Sequence, residues 1–511
     1  SVATTVLDGT ALVASPALVA PPRGSSIEDH VRYMTGLMRR ARALLDRALA
    51  RLDGDERALL VKDTSEIAAR FKQSILLARD RDAKRWGRHL RAIQTAAKID
   101  GPLLAQALGE LAPLADPVYL DQLALDLRAV EVARFGTTKA AGRVLHQETT
   151  DQGAVIVGGS GPNDYSSEYA LIVDLDGDDR YLRRAGSGSR EIPVGVAIDL
   201  GGDDRYSATE PFAQGAAFLG VGLLVDRAGD DTYASDEPFA QGAALAGAAA
   251  LVDLGGRDEY RGTYFCQGAA FLRGVGALLD REGSDRYEAS TIAQGFAGPG
   301  ALGVLVDGGG DDRYAALLGR KDTYGQTGIM NGLAQGVGCG VRGYASGGVG
   351  ALVDAGGDDR YLAGNFSQGG GYYFALGVLA DLGTGRDRYD GSRYGQAFGC
   401  HSALGALLDE GGDDVYAGCV VALQGSSWDL SVSSFADLAG DDRYDGAQGF
   451  SLGATAHNGF SIFFDGGGKD DFVAPGGMGR WGPNDYHGGP SISVFVDTTG
   501  DGVGAVASGG R

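Results

Sequence analysis

The sequence predicts an α+β multidomain protein, in which an N-terminal helical bundle precedes a long parallel β-helix of about eleven 27-residue rungs. Three observations predict it: a helical period that stops near residue 135, a pattern that recurs every 27 or 28 residues after residue 150, and 86 glycines without a G-X-Y period. We expect an extended arm at residues 1–24, the bundle at 25–135 and the β-helix at 150–511, with end caps near 161–173 and 476–511.

The helical part begins at Ser26, a residue suited to cap a helix N-terminus. Apolar residues then follow in alternating steps of three and four, at Val31, Met34, Met38 and Ala41. This spacing predicts a long helix with one buried stripe. Similar patterns with breaks between them predict four or five helices packed as a small bundle.

The repeat is clearest when the chain is aligned on the aspartate that ends each apolar run. Successive aspartates are 25, then 27 (four times), 47, 27 and finally 28 residues (three times) apart. Such short strands between glycine turns cannot bury a face alone, so each unit must stack on the next. A propeller blade needs about 40 to 45 residues, and the unit therefore predicts one rung of a parallel β-solenoid. The aligned aspartates are Asp174, Asp199, Asp226, Asp253, Asp280, Asp307, Asp354, Asp381, Asp409, Asp437 and Asp465.

The 47-residue step indicates an insertion of about 20 residues between Asp307 and Asp354. Long excursions from a regular scaffold commonly form binding surfaces. Polar candidates in this insertion are Arg320, Lys321, Asp322 and Tyr324.

Each unit also contains the pattern Gly-x-Asp-x-Tyr/Phe, for example Gly310, Asp312 and Tyr314. The residue between Gly and Asp varies, so the turn requires a glycine and an aspartate rather than acidity in general. The pattern resembles the calcium-binding repeats of RTX proteins, G-G-x-G-x-D-x-U-x, although Asp307 stands where the first glycine would be and each unit has only one copy. The resemblance implies calcium at the turns. The implied ligands are Asp199, Asp204, Asp226, Asp231, Asp253, Asp258, Asp280, Asp285, Asp307, Asp312, Asp409, Asp414, Asp437, Asp442, Asp465 and Asp470.

Stacking would place these aspartates in columns about 4.8 Å apart, where neighbouring charges repel by roughly 3 to 4 kcal/mol. One way to neutralise them is an arginine just before the aromatic residue, which seven units carry. Calcium would suit the other four units, and both solutions stay open. The arginines are Arg180, Arg205, Arg286, Arg313, Arg360, Arg388 and Arg443.

Alternation along each strand divides it into two faces. We expect residues one, three and five positions before the aspartate, such as Val225, Leu223 and Val221, to face the core. The other face, with Leu224 and Gly222, would then be a flat outward Gly/Leu face, covered by the bundle or by another chain. A recurring glutamine is predicted to form an amide ladder; its copies are Gln214, Gln241, Gln267, Gln294, Gln368, Gln396 and Gln424.

One column departs from the repeat, because the position eight residues before the aspartate becomes His401, Asp429 and His457 on consecutive rungs. This row could supply a catalytic base with its orienting carboxylate. A transition metal held by His401 and His457 is less favoured, since these two would lie about 9 to 10 Å apart.

The charge distribution disfavours two classes of binding partner. Residues 1–150 carry 22 basic and 18 acidic residues, whereas the whole chain has a net charge of −22. The acidic β-helix therefore disfavours nucleic acid and anionic membranes, and we expect no membrane span because no apolar run reaches about 18 residues.

Two hypotheses follow. The first is an exported structural or interaction protein, secreted, periplasmic or at the cell surface. It would bind calcium at its turns and a protein partner or a second copy through the Gly/Leu face. The alternative is a carbohydrate-active enzyme, a polysaccharide lyase or glycoside hydrolase, that binds a glycan beside His401, Asp429 and His457.

Overall fold

The computed structural model confirms a helical N-terminal part followed by a parallel β-solenoid of about eleven rungs. Residues 1–17 of the expected arm and the insertion residues Arg320, Lys321, Asp322 and Tyr324 lie outside the described residues. The structure describes residues 18–73, 83–317, 329–446, 449–474, 477–498 and 504–510.

Five α-helices make up the described helical part. The first helix begins as predicted, because the Ser26 hydroxyl accepts a hydrogen bond from the Asp29 backbone N–H and the Asp29 carboxylate accepts one from the Ser26 N–H. No helix in the described ranges is both long and apolar enough to cross a membrane. The helices are α1 (Ile27–Ala48), α2 (Gly54–Gln73), α3 (Ala83–Ala96), α4 (Gly101–Gly109) and α5 (Pro117–Phe135), with a 3-10 turn at Ala112–Ala115.

The solenoid has three sides, which we call sheets 1, 2 and 3. Equivalent residues of successive rungs pair in parallel, and antiparallel strands close both ends of sheet 1. Sheet 1 contains Val144–Thr150, Gly153–Gly158, Leu171–Val173, Val194–Asp199, Val221–Asp226, Ala248–Asp253, Val275–Leu279, Leu302–Val306, Val349–Asp354, Leu376–Asp381, Leu404–Asp409, Val432–Asp437, Phe460–Asp465, Ser491–Asp497 and Gly504–Gly510. Sheet 2 contains Asp164–Tyr165, Arg180–Tyr181, Arg205–Tyr206, Thr232–Ala234, Glu259–Arg261, Arg286–Ala289, Arg313–Ala316, Arg360–Ala363, Arg388–Arg393, Val415–Val421, Arg443–Asp445 and Asp471–Val473. Sheet 3 is interrupted and contains Ala217–Phe218, Ala244–Leu245, Ala270–Phe271, Gly338–Cys339, Gly371–Tyr372, Phe398–Cys400, Ser426–Trp428 and Thr455–Ala456. A separate two-stranded sheet, Tyr264–Cys266 with Thr291–Ala293, lies between sheets 2 and 3 in two of the rungs.

The predicted faces of sheet 1 are inverted. Leu251 and Leu278 are fully buried inside the coil, where they pack against a column of tyrosines. The Gly column also faces inward: a Cβ atom on Gly276 would lie 2.5 Å from the Ala269 carbonyl oxygen. The prediction that the Gly/Leu face points outward is therefore wrong. Sheets 1 and 3 approach each other so closely in the narrow interior that only glycine fits at these positions of sheet 1.

The true outer face of sheet 1 carries the residues one, three and five positions before each aspartate. In the first rungs the helices cover it: α1 contacts Val194–Asp199 and Val221–Asp226, while α4 contacts the strands from Val221–Asp226 to Val275–Leu279. The helices and these strands share one hydrophobic core.

The second half of the outer face is bare over the described residues. Val349, Leu404, Val432 and Ile492 are each between 37% and 41% exposed. An open groove of about 650 Å³ runs along this part of the face, and Ser402 is the one side-chain hydroxyl among the described residues that line it.

Candidate metal sites

The aspartates that end the strands of sheet 1 form a first Asp column. In ten of the eleven rungs one carboxylate oxygen caps the following turn, as when Asp307 Oδ1 accepts a hydrogen bond from the Gly309 N–H at 2.8 Å. The exception is Asp280, whose Oδ1 has no such bond. In most rungs the other oxygen accepts a hydrogen bond from a tyrosine of the preceding rung, as when the Tyr287 hydroxyl donates to Asp307 Oδ2 at 2.5 Å. The column is buried, and its described members are Asp174, Asp199, Asp226, Asp253, Asp280, Asp307, Asp354, Asp381, Asp409, Asp437 and Asp465.

These tyrosines form a ladder along sheet 2, from Tyr165 to Tyr444, with Phe472 as the final ring. Neighbouring rings are stacked with centroids 4.4 to 5.0 Å apart. The ladder packs against the leucines of sheet 1. It therefore fixes the spacing of the first Asp column by both stacking and hydrogen bonding.

The aspartates of the Gly-x-Asp-x-Tyr/Phe pattern form a second Asp column beside the first. Each Oδ1 accepts a hydrogen bond from the backbone of the preceding rung, as from the Asp231 N–H to Asp258 Oδ1 at 2.6 Å. The other oxygen, Oδ2, accepts no hydrogen bond in nine side chains that are at most 2% exposed. These are Asp179, Asp204, Asp231, Asp258, Asp285, Asp312, Asp359, Asp387 and Asp414.

Glycine makes this close stacking possible. Gly310 has φ of +155°, and a Cβ atom on it would overlap the Gly283 carbonyl oxygen of the preceding rung. The turn therefore needs glycine both for its backbone conformation and for the approach of the next turn.

Carboxylates of the two columns converge in groups of three, with one oxygen of each residue within 4.8 Å of the others. Calcium binds oxygens at 2.3 to 2.6 Å, so two of its ligands can be up to about 5 Å apart. The spacing and the unpartnered Oδ2 atoms both fit a cation. The groups include Asp174/Asp179/Asp199, Asp199/Asp204/Asp226, Asp231/Asp253/Asp258, Asp258/Asp280/Asp285 and Asp285/Asp307/Asp312.

Burial also makes these carboxylates hard to ionise. Burial, followed by repulsion from Asp253, raises the pKa of Asp258 to about 9. Burial and repulsion from Asp354 raise the pKa of Asp359 to about 10. The columns can thus be made neutral either by protons or by cations, since both remove the cost of buried charge.

Arginines do not neutralise the columns in the way the sequence suggested. Arg286 pairs with Glu288 at 2.9 Å and Arg388 with Asp390 at 2.7 Å, and both carboxylates belong to sheet 2 rather than to a column. Arg180 and Arg443 likewise pair with Asp164 and Asp471. For these four arginines the predicted pairing is wrong, because each precedes an inward tyrosine and therefore points to the opposite face of its strand.

The glutamines are also arranged differently from the predicted amide ladder. Gln241 Nε2 donates to the carbonyl oxygens of Tyr233 and Arg261, on two successive rungs, at 2.9 and 3.0 Å. The amide nitrogen therefore joins backbone to backbone instead of joining glutamine to glutamine. This arrangement suits a sharp corner, since Gln241 has φ of +56°.

The row at His401, Asp429 and His457 is brought together only in part. His401 Nδ1 lies 2.5 Å from Asp429 Oδ2, whereas the His457 ring stacks on Tyr486 with centroids 3.8 Å apart. The second partner of Asp429 is His487, whose Nε2 contacts Asp429 Oδ1. Sequence reasoning missed His487 because it lies in the C-terminal cap, outside the repeat.

The environment of this row favours a neutral histidine beside an ionised aspartate. Burial lowers the pKa of His401, although the hydrogen bond with Asp429 acts in the opposite direction. Burial raises the pKa of Asp429, but hydrogen bonds with His401 and His487 outweigh it and hold that pKa below its ordinary value.

Comparison with known proteins adds no relative: no family model, no curated protein and no solved structure matches the chain. The class of protein is therefore defined by its own geometry, as a parallel β-solenoid whose aspartate clusters could hold metal ions.

Proposed function

We propose that the protein is an exported structural scaffold whose two Asp columns bind calcium, as the resemblance to RTX repeats implies. The observation that carries this proposal is the row of buried, unpartnered Oδ2 atoms in the second Asp column. An oxygen-only site with negative charge is what calcium prefers. Bound cations would replace the protons that the buried carboxylates otherwise hold.

Calcium binding is tested by comparing two neighbouring aspartates of one turn. Asp231 belongs to the second Asp column and is buried, while Asp230 beside it is exposed. We expect Asp231→Asn to lower the calcium content and the calcium-dependent rise in Tm, because it removes a ligand from the column, and Asp230→Asn to change neither. The measurements are elemental analysis and thermal unfolding of the full chain, with calcium and with EGTA.

The stability of the Asp231→Asn variant without calcium provides a second test. In EGTA at pH 8, Asp231→Asn should stabilise the protein or leave it unchanged, because an uncharged amide replaces a buried carboxyl group. The proposal fails if wild-type protein takes up no calcium and its Tm is the same with calcium and EGTA.

We further propose that the bare part of the outer face binds a second copy of this chain. Between residues 349 and 496 its eighteen outward strand positions include no charged residue, and Ser434 is the only polar one. Homodimer interfaces are more apolar than other interfaces. Six rungs about 4.8 Å apart and strands about 20 Å long give roughly 570 Å² per copy, and two such faces just exceed the area of about 1,000 Å² that a specific interface needs.

The dimer is tested by placing charge on this face. The double variant Leu404→Glu and Val432→Glu should halve the mass in light scattering while the circular dichroism stays unchanged. The matched control is Val118→Glu, since Val118 is a 76% exposed apolar residue of α5. A monomeric wild-type protein would overturn this proposal without affecting the calcium proposal.

A further inference from the structure

The histidines and the aspartate at the C-terminal end of the solenoid come from three separate segments. His401 and Asp429 lie at equivalent corners of successive rungs, where the His401 N–H donates to the Trp428 carbonyl oxygen at 3.1 Å. His487 comes from the segment that closes the solenoid before the strand Ser491–Asp497. We call His401, Asp429 and His487 the His–Asp–His cluster.

The two imidazoles occupy different oxygens of one carboxylate. His401 Nδ1 lies 2.5 Å from Asp429 Oδ2, and His487 Nε2 contacts Asp429 Oδ1. The His401 and Asp429 side chains are only 13% and 16% exposed, whereas His487 is 39% exposed. The cluster is therefore built into the fold on one side and reached from solvent on the other.

We propose that the His–Asp–His cluster is a mononuclear site for a divalent transition-metal ion, with Zn²⁺ as the representative case. Two imidazole nitrogens and a carboxylate oxygen are a donor set for such ions, and three protein ligands leave a position open for water or a substrate. Ligands around such an ion are roughly 3 Å apart, so binding requires the His401–Asp429 contact to lengthen and both imidazole nitrogens to turn toward one point beside the Asp429 carboxylate.

The surroundings of the cluster support a metal site. The Tyr372 ring packs edge-on against His401 with centroids 5.2 Å apart, and Trp428 packs against His457 at 4.5 Å. His457 is 4% exposed, and its Nδ1 is buried without a hydrogen-bond partner among the described residues. An aromatic shell that limits water access is typical of metal sites.

This site is chemically distinct from the Asp columns. Calcium takes oxygen ligands, whereas imidazole selects transition metals. The proposal therefore does not rest on calcium binding, and either can fail alone.

The experiment uses the full-length protein with calcium in excess, so that the Asp columns are occupied, and Co²⁺ as a spectroscopic probe. We expect visible d–d absorption that saturates at one equivalent of Co²⁺ and is displaced by Zn²⁺. His487→Ala should abolish more than nine-tenths of this absorption, as should His401→Gln. Because His487 is partly exposed, its variant should fold, which circular dichroism checks.

Two control variants complete the design. His146→Gln changes a histidine whose ion-pair partners are Glu28 and Glu148, and Asp258→Asn changes the second Asp column; both should keep the full Co²⁺ spectrum. The proposal is overturned if no saturable Co²⁺ absorption forms, or if the absorption survives in folded His487→Ala protein. Hyperfine-shifted imidazole N–H signals in the proton NMR spectrum, two in wild-type protein and none in His487→Ala, give an independent readout.

Discussion

At the scale of single residues, the carboxyl groups of the second Asp column decide how the protein responds to pH. Without metal, burial and repulsion from neighbouring aspartates raise the pKa of Asp258 and of Asp312 to about 9. In the unfolded chain an aspartate has a pKa of about 3.9. Between these values the folded state holds more protons than the unfolded state, so its stability falls as the pH rises.

We therefore predict that the calcium-free protein is most stable near pH 4 and loses stability from there to about pH 9. Each such aspartate can lower the free energy of unfolding by up to about 1.4 kcal/mol per pH unit within this window. With saturating calcium the trend should weaken or reverse, because cations replace the protons. Urea unfolding at pH 5, 7 and 9 checks both trends, and a calcium-free midpoint that rises with pH would contradict the prediction.

Residue patterns in the sequence predicted where the turns lie, but they did not predict which hydrogen-bond partner each side chain has. The spacing of Gly310 and Asp312 correctly indicated a turn that needs both residues, since this requirement is local. The hydrogen bond from Tyr287 to Asp307 joins two rungs, so it depends on their register and could not be predicted from either motif. His487 could not be predicted either, because the position of the cap relative to the last rungs leaves no periodic signal.

At the scale of the strand, alternation defines two faces but does not say which is inside. A column of glycine with leucine was expected to be a flat outer surface, yet Leu278 is fully buried and Gly276 lies against sheet 3. The helical stripe of α1 was predictable because a bundle has only one interior. In a thin solenoid with helices on one side, both faces of a strand are apolar, so hydrophobicity alone cannot choose between them.

The inverted face gives a direct mutational test. Gly276→Ala should lower the free energy of unfolding by about 1 to 3 kcal/mol, because the new methyl group would lie 2.5 Å from the Ala269 carbonyl oxygen. The matched control is Gly109→Ala at the end of α4, where a Cβ atom meets nothing within 4 Å. Urea unfolding compares the two, and equal stability of both variants would place Gly276 on an open surface.

At the scale of the whole molecule, two parts of the solenoid depart from the regular repeat. They are the second half of the outer face of sheet 1 and the closed C-terminal end. Among the described residues, the helices make their main contacts with the first rungs of sheet 1, from Val194–Asp199 to Val275–Leu279. Val349, Leu404 and Val432 continue the same columns without that cover. Assembly and transition-metal binding are therefore both expected toward the C-terminal half of the solenoid, whereas the Asp columns run along its whole length.

The two Asp columns also determine the net charge of the folded protein, and therefore its isoelectric point. Together they contain twenty-two aspartates, which equals the formal net charge of −22, so the remaining charges of the chain cancel. If protons or cations neutralise the columns, the folded protein is far less anionic than its sequence pI of about 4.6 indicates. Isoelectric focusing should therefore give a higher pI for the native protein than for the same protein in urea, and identical values would mean that the buried columns carry their full charge. An apparently acidic chain would then migrate, and meet other proteins, as a nearly neutral one.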